Sequence, residues 1–118
     1  MSVTGAQLVI QARALGYDSS SVEQLRSNRW LLTLRTPDGT TLLVLAQRRP
    51  LILAADVHDL IDLLRLRRIN TGFLLAVEGR FSAEALRIAQ DLRSLRLQLG
   101  TDLPPAFRNA PSGSLETA

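Results

Sequence analysis

The stretch from Arg29 to Gln47 constrains this chain most. Two apolar runs, Trp30-Leu31-Leu32-Thr33-Leu34-Arg35 and Thr41-Leu42-Leu43-Val44-Leu45-Ala46, flank Thr36-Pro37-Asp38-Gly39-Thr40. Proline presets φ near the value a turn needs, and glycine accepts positive φ without steric cost. The pattern predicts a β-hairpin. The second run is apolar at consecutive positions, so both faces of that strand are covered and it belongs inside a sheet rather than at its edge.

The flanking segments supply the covering layers. Residues 3–16 read as a helix whose stripe is Leu8, Val9, Ala12 and Leu15, with Thr4 as N-cap and Gly16 at the left-handed position past its end. Ser19 to Ser21 suggest a turn, and Val22 to Arg26 read as a short edge strand or a helical turn, the strand being preferred. Arg48-Arg49-Pro50 ends the hairpin. Residues 54–69 then carry Val57, Leu60, Ile61 and Leu64 at helical spacing. Asp56, Asp59 and Asp62 lie toward the start of this helix and Arg65, Arg67 and Arg68 toward its end, the order the helix dipole favours.

Asn70-Thr71-Gly72 closes that helix, and Phe73 to Val77 is a buried strand. Ser82 caps a helix through Arg93 with Ala85, Leu86 and Ala89 inward, and Leu95 to Leu99 is a last strand. Residues 101–118 contain Pro104, Pro105, Pro111 and Gly113 and read as an irregular tail. Residues 1–100 are therefore expected to form a single α/β domain. A hairpin followed by β–α–β units predicts a small mixed β-sheet, with the hairpin central and helices on both faces.

Composition then excludes several chemistries. With 46% hydrophobic residues, the body of the chain can form a packed core. Cysteine is absent, so disulfides, thiolate zinc sites and cysteine nucleophiles are excluded, and a single His cannot build a multi-His metal site. All 14 basic residues are Arg. A lysine-free chain forms no Schiff base, has no P-loop lysine and offers no lysine ammonium to a nuclease centre. No metal or cofactor is expected. No apolar run approaches the ~20 residues of a membrane span, so the sequence reads as that of a soluble, cytoplasmic protein.

The element order and a series of short phrases resemble the restriction-endonuclease-like superfamily, in its Mrr-type branch, over residues 4–100. The phrases are Leu15-Gly16-Tyr17 at the end of the first helix, Val44-Leu45-Ala46-Gln47-Arg48 at the end of the second hairpin strand, Gly79-Arg80-Phe81-Ser82-Ala83-Glu84-Ala85 at the start of the last helix, and Leu99-Gly100. The resemblance implies the fold. It also implies a metal-dependent cutting centre, with an Asp on the first hairpin strand, an acid or Gln on the second, and a Lys two residues later. Here Trp30 to Leu34 holds no acid, Leu45 stands where the acid or Gln belongs, and Gln47 stands where the Lys belongs. An apolar side chain cannot bind a hard cation. The resemblance thus implies the fold and argues against the reaction, and the expected function is that of a non-catalytic nuclease-like module in protein assembly or scaffolding.

Other residues define the alternatives. A migrated metal site would use Glu78 with Asp56 or Asp59; the plainer readings are a surface ion pair for Glu78 and a solvated, dipole-favoured helix start for the aspartates. His58 and Asp62 share a helix face but supply only a weak ligand pair. Asp38 reads as a turn residue. Arg48, Arg49, Arg67 and Arg68 are candidate contacts for nucleic-acid phosphates, since guanidinium pairs bidentately with phosphate. Against that role stand the interspersed acids, a net charge of only +3 and 4% aromatic residues for base stacking. Finally, Leu63, Leu66 and Ile69 fall off the main stripe of the 54–69 helix. A helix apolar beyond one face is buried on more than one side, so these three are candidate interface residues for a homodimer or a larger protein, the plainer reading being a well-covered central helix.

Overall fold

The computed structural model describes residues 5–106. Its elements in chain order are α1 (Gly5–Ala14), β1 (Ser19–Arg26), β2 (Arg29–Arg35), β3 (Thr41–Gln47), β4 (Leu51–Ile52), α2 (Ala54–Arg67), β5 (Thr71–Ala76), β6 (Arg80–Phe81), α3 (Ala83–Asp91) and β7 (Arg96–Gly100). Five strands form one sheet in the order β1-β2-β3-β5-β7. β1, β2 and β3 are antiparallel neighbours, while β3, β5 and β7 run parallel. The sheet is mixed, and the doubly apolar β3 lies at its centre.

The alternation of side chains along the strands builds two cores. On one face Trp30, Leu32, Leu34, Val44, Phe73 and Leu75 pack against Leu8 and Ala12 of α1. On the other Leu31, Leu43, Leu45 and Leu74 pack against Val57, Leu60, Ile61 and Leu64 of α2 and Ala85 of α3. Helices therefore cover both faces. No helix among the described residues is long and apolar enough to cross a membrane.

Several boundaries differ from the sequence reading. β1 begins at Ser19, not Val22, because the serines pair along β2 as far as Arg35 instead of turning. α2 stops at Arg67, where Arg68 takes the left-handed conformation at φ 57°, and Thr71 and Gly72 already belong to β5. α3 ends at Asp91, and β7 runs from Arg96 to Gly100. Gly16 has φ of +99°, as its place after α1 requires. Thr4, the expected cap of α1, lies outside the described residues.

Two features carried no periodic signal. β4 and β6 form a separate two-stranded parallel sheet of two residues each. Gly79 permits it: a Cβ there would sit 1.9 Å from the Arg49 carbonyl oxygen. The segment 101–106 is irregular in path yet buries Leu103 and Ala106 in the α1-side core. It is tied down by the Tyr17 hydroxyl, which donates to the Pro104 carbonyl at 2.7 Å, and by the Ala106 amide on the Leu15 carbonyl at 3.0 Å. Desolvation pushes the Tyr17 hydroxyl up to about 12. Residues 107–118 of the expected tail lie outside the described residues.

Candidate functional site

The C-terminal end of β3 is where the family resemblance would place a cutting centre, and it is built from four elements. β2 begins there with Arg29, β3 ends there with Gln47, and the hairpin register sets these two residues opposite each other. The chain then turns through Arg48-Arg49-Pro50 and β4 into α2, whose first turn carries Asp56 and, three residues on, Asp59.

Leu45 is fully buried in the α2-side core, directly across from Leu31. Its side chain offers no oxygen to a cation, and the side chains clustered with it are apolar. Gln47 is also buried, but its amide is engaged at both its nitrogen and its oxygen. Its Nε2 donates to Asp56 Oδ1 at 2.9 Å, and its Oε1 accepts from Arg29 Nε at 2.9 Å.

Asp56 is the hub. Besides Gln47, its Oδ1 accepts from Arg29 Nη2 at 2.8 Å, and its Oδ2 accepts from the Leu53 amide at 2.8 Å. That last bond satisfies a donor at the start of α2, the task of a carboxylate at the third helical position. Arg29 spreads its fork further, with Nη1 reaching Asp59 Oδ2 at 3.1 Å. Arg49 Nη1 approaches Asp56 Oδ1 at 3.8 Å. Two guanidiniums thus face two carboxylates, and the cluster is neutral. Its charges neutralise one another and its polar atoms are paired, which is the condition for tolerating them in a half-buried site.

The remaining candidates are scattered. Glu78 has φ of 60° and pairs with Arg48 at 3.5 Å, both exposed. Consecutive arginines thus turn to separate acids, Arg48 to Glu78 and Arg49 to Asp56. Among the described residues no three of His, Asp and Glu gather as a metal-holding group. Arg67 pairs with Glu23 of β1 at 3.6 Å, and Arg68 forms the C-cap of α2. Arg49 reaches Asp56 in the first turn of α2, whereas Arg67 is the last residue of that helix, roughly 16 Å further along its axis at 1.5 Å per residue. The four arginines do not form one patch.

Of the candidate interface residues, Leu63 and Ile69 pack partly against the α2-side core of their own chain, and Leu66 is 78% exposed. Asp38 lies in the hairpin turn, where hydrogen bonds from Thr36 and then Thr40 hold its carboxyl below the usual range.

Arg29 was not among the residues singled out from sequence. A signal existed: a hairpin closed by Pro37-Asp38-Gly39 fixes which residues face each other, and counting outward from the turn pairs Arg29 with Gln47. The contact of both with Asp56 depends on how α2 docks, which no local pattern encodes.

No protein-family model matches the chain, and no curated protein matches it significantly. Among solved structures it is similar to that of EndoMS in its apo form, with a TM-score of 0.57 and 17% sequence identity. The likeness covers 89% of this chain and 48% of that one, so the chain spans about half the length of the EndoMS chain. At this identity the likeness concerns the fold, and the fold of this chain is a restriction-endonuclease-like mixed α/β sheet.

Proposed function

We propose that this chain is a non-catalytic, nuclease-like module of the Mrr type that acts in protein assembly, as a homodimer or docked on a larger protein. One observation carries the reading. Where the resemblance calls for an acid or Gln and a lysine on β3, the chain has a buried Leu45 and a Gln47 locked between Arg29 and Asp56. Asp56, the nearest carboxylate, is spent on the α2 cap and on Arg29. A centre that activates water around a divalent cation needs open carboxylate oxygens, and these are occupied by the chain's own donors. The absence of cysteine fits a cytoplasmic setting.

Binding of nucleic acid through Arg48, Arg49, Arg67 and Arg68 has weaker support, because three of the four already face carboxylates. The test combines two assays on the purified chain. Incubation of single- and double-stranded DNA with Mg²⁺ or Mn²⁺ is expected to yield no cleavage. Products abolished by Glu78→Ala would overturn the reading in favour of a migrated centre. A gel-shift titration in salt is expected to show no retained complex; tight binding that weakens steeply with salt would favour the arginine reading instead.

A further inference from the structure

Among the helices of the described residues, the most lopsided is the least buried. α3 concentrates Ala85, Leu86, Ile88 and Ala89 on one face, yet only Ala85 is fully buried and Leu86 stays 43% exposed. Beside it runs β7, an end strand of the sheet with no neighbour on its outer side among the described residues. Between the two lies a shallow groove of about 280 Å³, lined by Leu86, Ala89 and Gln90 of α3 and by Leu97, Gln98 and Leu99 of β7. An open strand edge presents unpaired amides and carbonyls, and natural proteins cover or blunt such edges. Here the strand carries one charge, Arg96 at its first position, and neither charge nor proline from Leu97 to Gly100.

The strand itself indicates what would cover it. β7 reads Arg96-Leu97-Gln98-Leu99-Gly100, a pattern symmetric about Gln98. Laid antiparallel against a second copy of itself with Gln98 on the two-fold axis, it sets Leu97 opposite Leu99 twice and Gln98 opposite Gln98. Arg96 falls opposite Gly100, so no like charges meet. Apolar cross-strand pairs stabilise such a ladder, and like charges directly opposite would destabilise it. A two-fold contact requires this kind of self-complementarity, because the same patch serves both sides. The other end strand lacks it: β1 carries Glu23, which is held by Arg67, and its register is broken between Gln24 and Arg26.

We infer that two copies of this chain join through β7, extending the two sheets into one and bringing the α3 helices together over the seam. Leu86, Ala89, Leu97 and Leu99 then close a shared apolar layer. The inference rests on the assembly reading above and names the partner and the surface for it.

Sedimentation velocity across a concentration series tests it, with charge-swap variants at Gln98, which is exposed and so leaves the monomer fold intact. The wild type is expected to sediment as a dimer. Gln98→Glu and Gln98→Lys, each alone, set like charges on the axis and are expected to weaken the dimer roughly tenfold or more. An equimolar mixture of the two is expected to restore it, which simple loss of folding would not do. Ser21→Glu on β1 and Leu66→Glu on α2 are expected to leave it unchanged.

A wild type that stays monomeric throughout overturns the inference. So does a dimer indifferent to Gln98 and lost with Ser21→Glu or Leu66→Glu, although self-assembly itself then stands. The cleavage assay judges the non-catalytic reading separately from either result.

Discussion

The side-chain amide of Gln47, at the end of β3, donates to the buried carboxylate of Asp56 in the first turn of α2 at 2.9 Å. The bond ties the sheet to its covering helix. Arg29 closes the triangle by donating to both residues. Removing Asp56 leaves Arg29 Nη2 and Gln47 Nε2 without this acceptor in a site where the Asp56 side chain is only 4% exposed. Asp56→Ala is expected to cost about 3–5 kcal/mol, the usual range for breaking a buried ion pair from one side. Asp59→Ala, whose side chain is 50% exposed, is expected to cost less than about 1 kcal/mol. Urea unfolding of the two variants checks the contrast, and equal losses would contradict it.

Leu45 makes the complementary case. An acid at its position puts a carboxylate among Leu31, Leu43 and Leu74, whose side chains offer no donor to receive it. Leu45→Glu is expected to destabilise the fold by several kcal/mol and to restore no cleavage. Thermal unfolding together with the DNA assay reads both effects. A stable, metal-dependent Leu45→Glu enzyme would show that the centre needs one substitution rather than a rebuilt cluster.

Tyr17 anchors the segment 101–106 through Pro104, and burial lifts its hydroxyl from 10.0 to about 12. The neutral form is favoured in the folded state, so the folded chain holds its proton to higher pH than the unfolded chain does. The contribution to stability is complete below pH 10.0 and fades as pH rises toward about 12. Because the chain has a single tyrosine, ultraviolet titration of the phenolate reads this group alone. Its midpoint is expected above that of the urea-unfolded protein, and stability is expected to fall across that interval. Tyr17→Phe is expected to cost about 1 kcal/mol at neutral pH and to flatten the alkaline decline.

Gly79 and Gly39 separate two reasons for a glycine. Gly39 sits in the hairpin turn at φ +91° with nothing within 4 Å of an added Cβ, so Gly39→Ala meets backbone strain alone, about 1–2 kcal/mol. Gly79→Ala drives a Cβ into the Arg49 carbonyl and must part the β4–β6 pair, with an expected cost above about 2 kcal/mol. Denaturation midpoints that rank the two variants in the opposite order would show that the β4–β6 contact yields easily.

Much of the fold was legible because local chemistry and tertiary environment agree. The Pro37-Asp38-Gly39 turn dictates the β2–β3 hairpin, and the unbroken apolar run of β3 matches its place at the centre of the sheet. Ser82 accepts the Ala85 amide at the start of α3, as its position before an apolar helix implies. The strand β1 was harder to read, since three serines favour a turn in isolation and become strand only by pairing with β2. β4 and β6 are two residues each, too short to show a period, and exist because Gly79 lets two backbones meet.

The sequence alone determined that this chain holds no lysine and no cysteine, that its centre is a hairpin, and that Leu45 and Gln47 stand on its second strand. These are matters of residue identity and of contacts a few residues apart. Only the tertiary structure decided that Arg29, Gln47 and Asp56 share one polar cluster, that Arg48 and Arg49 face different acids, and that Leu63 and Ile69 turn toward their own core while Leu66 does not. Each of these depends on the distance and rotation at which α2 settles on the sheet. That docking is set by the summed packing of two apolar faces and is written in no short stretch of the chain.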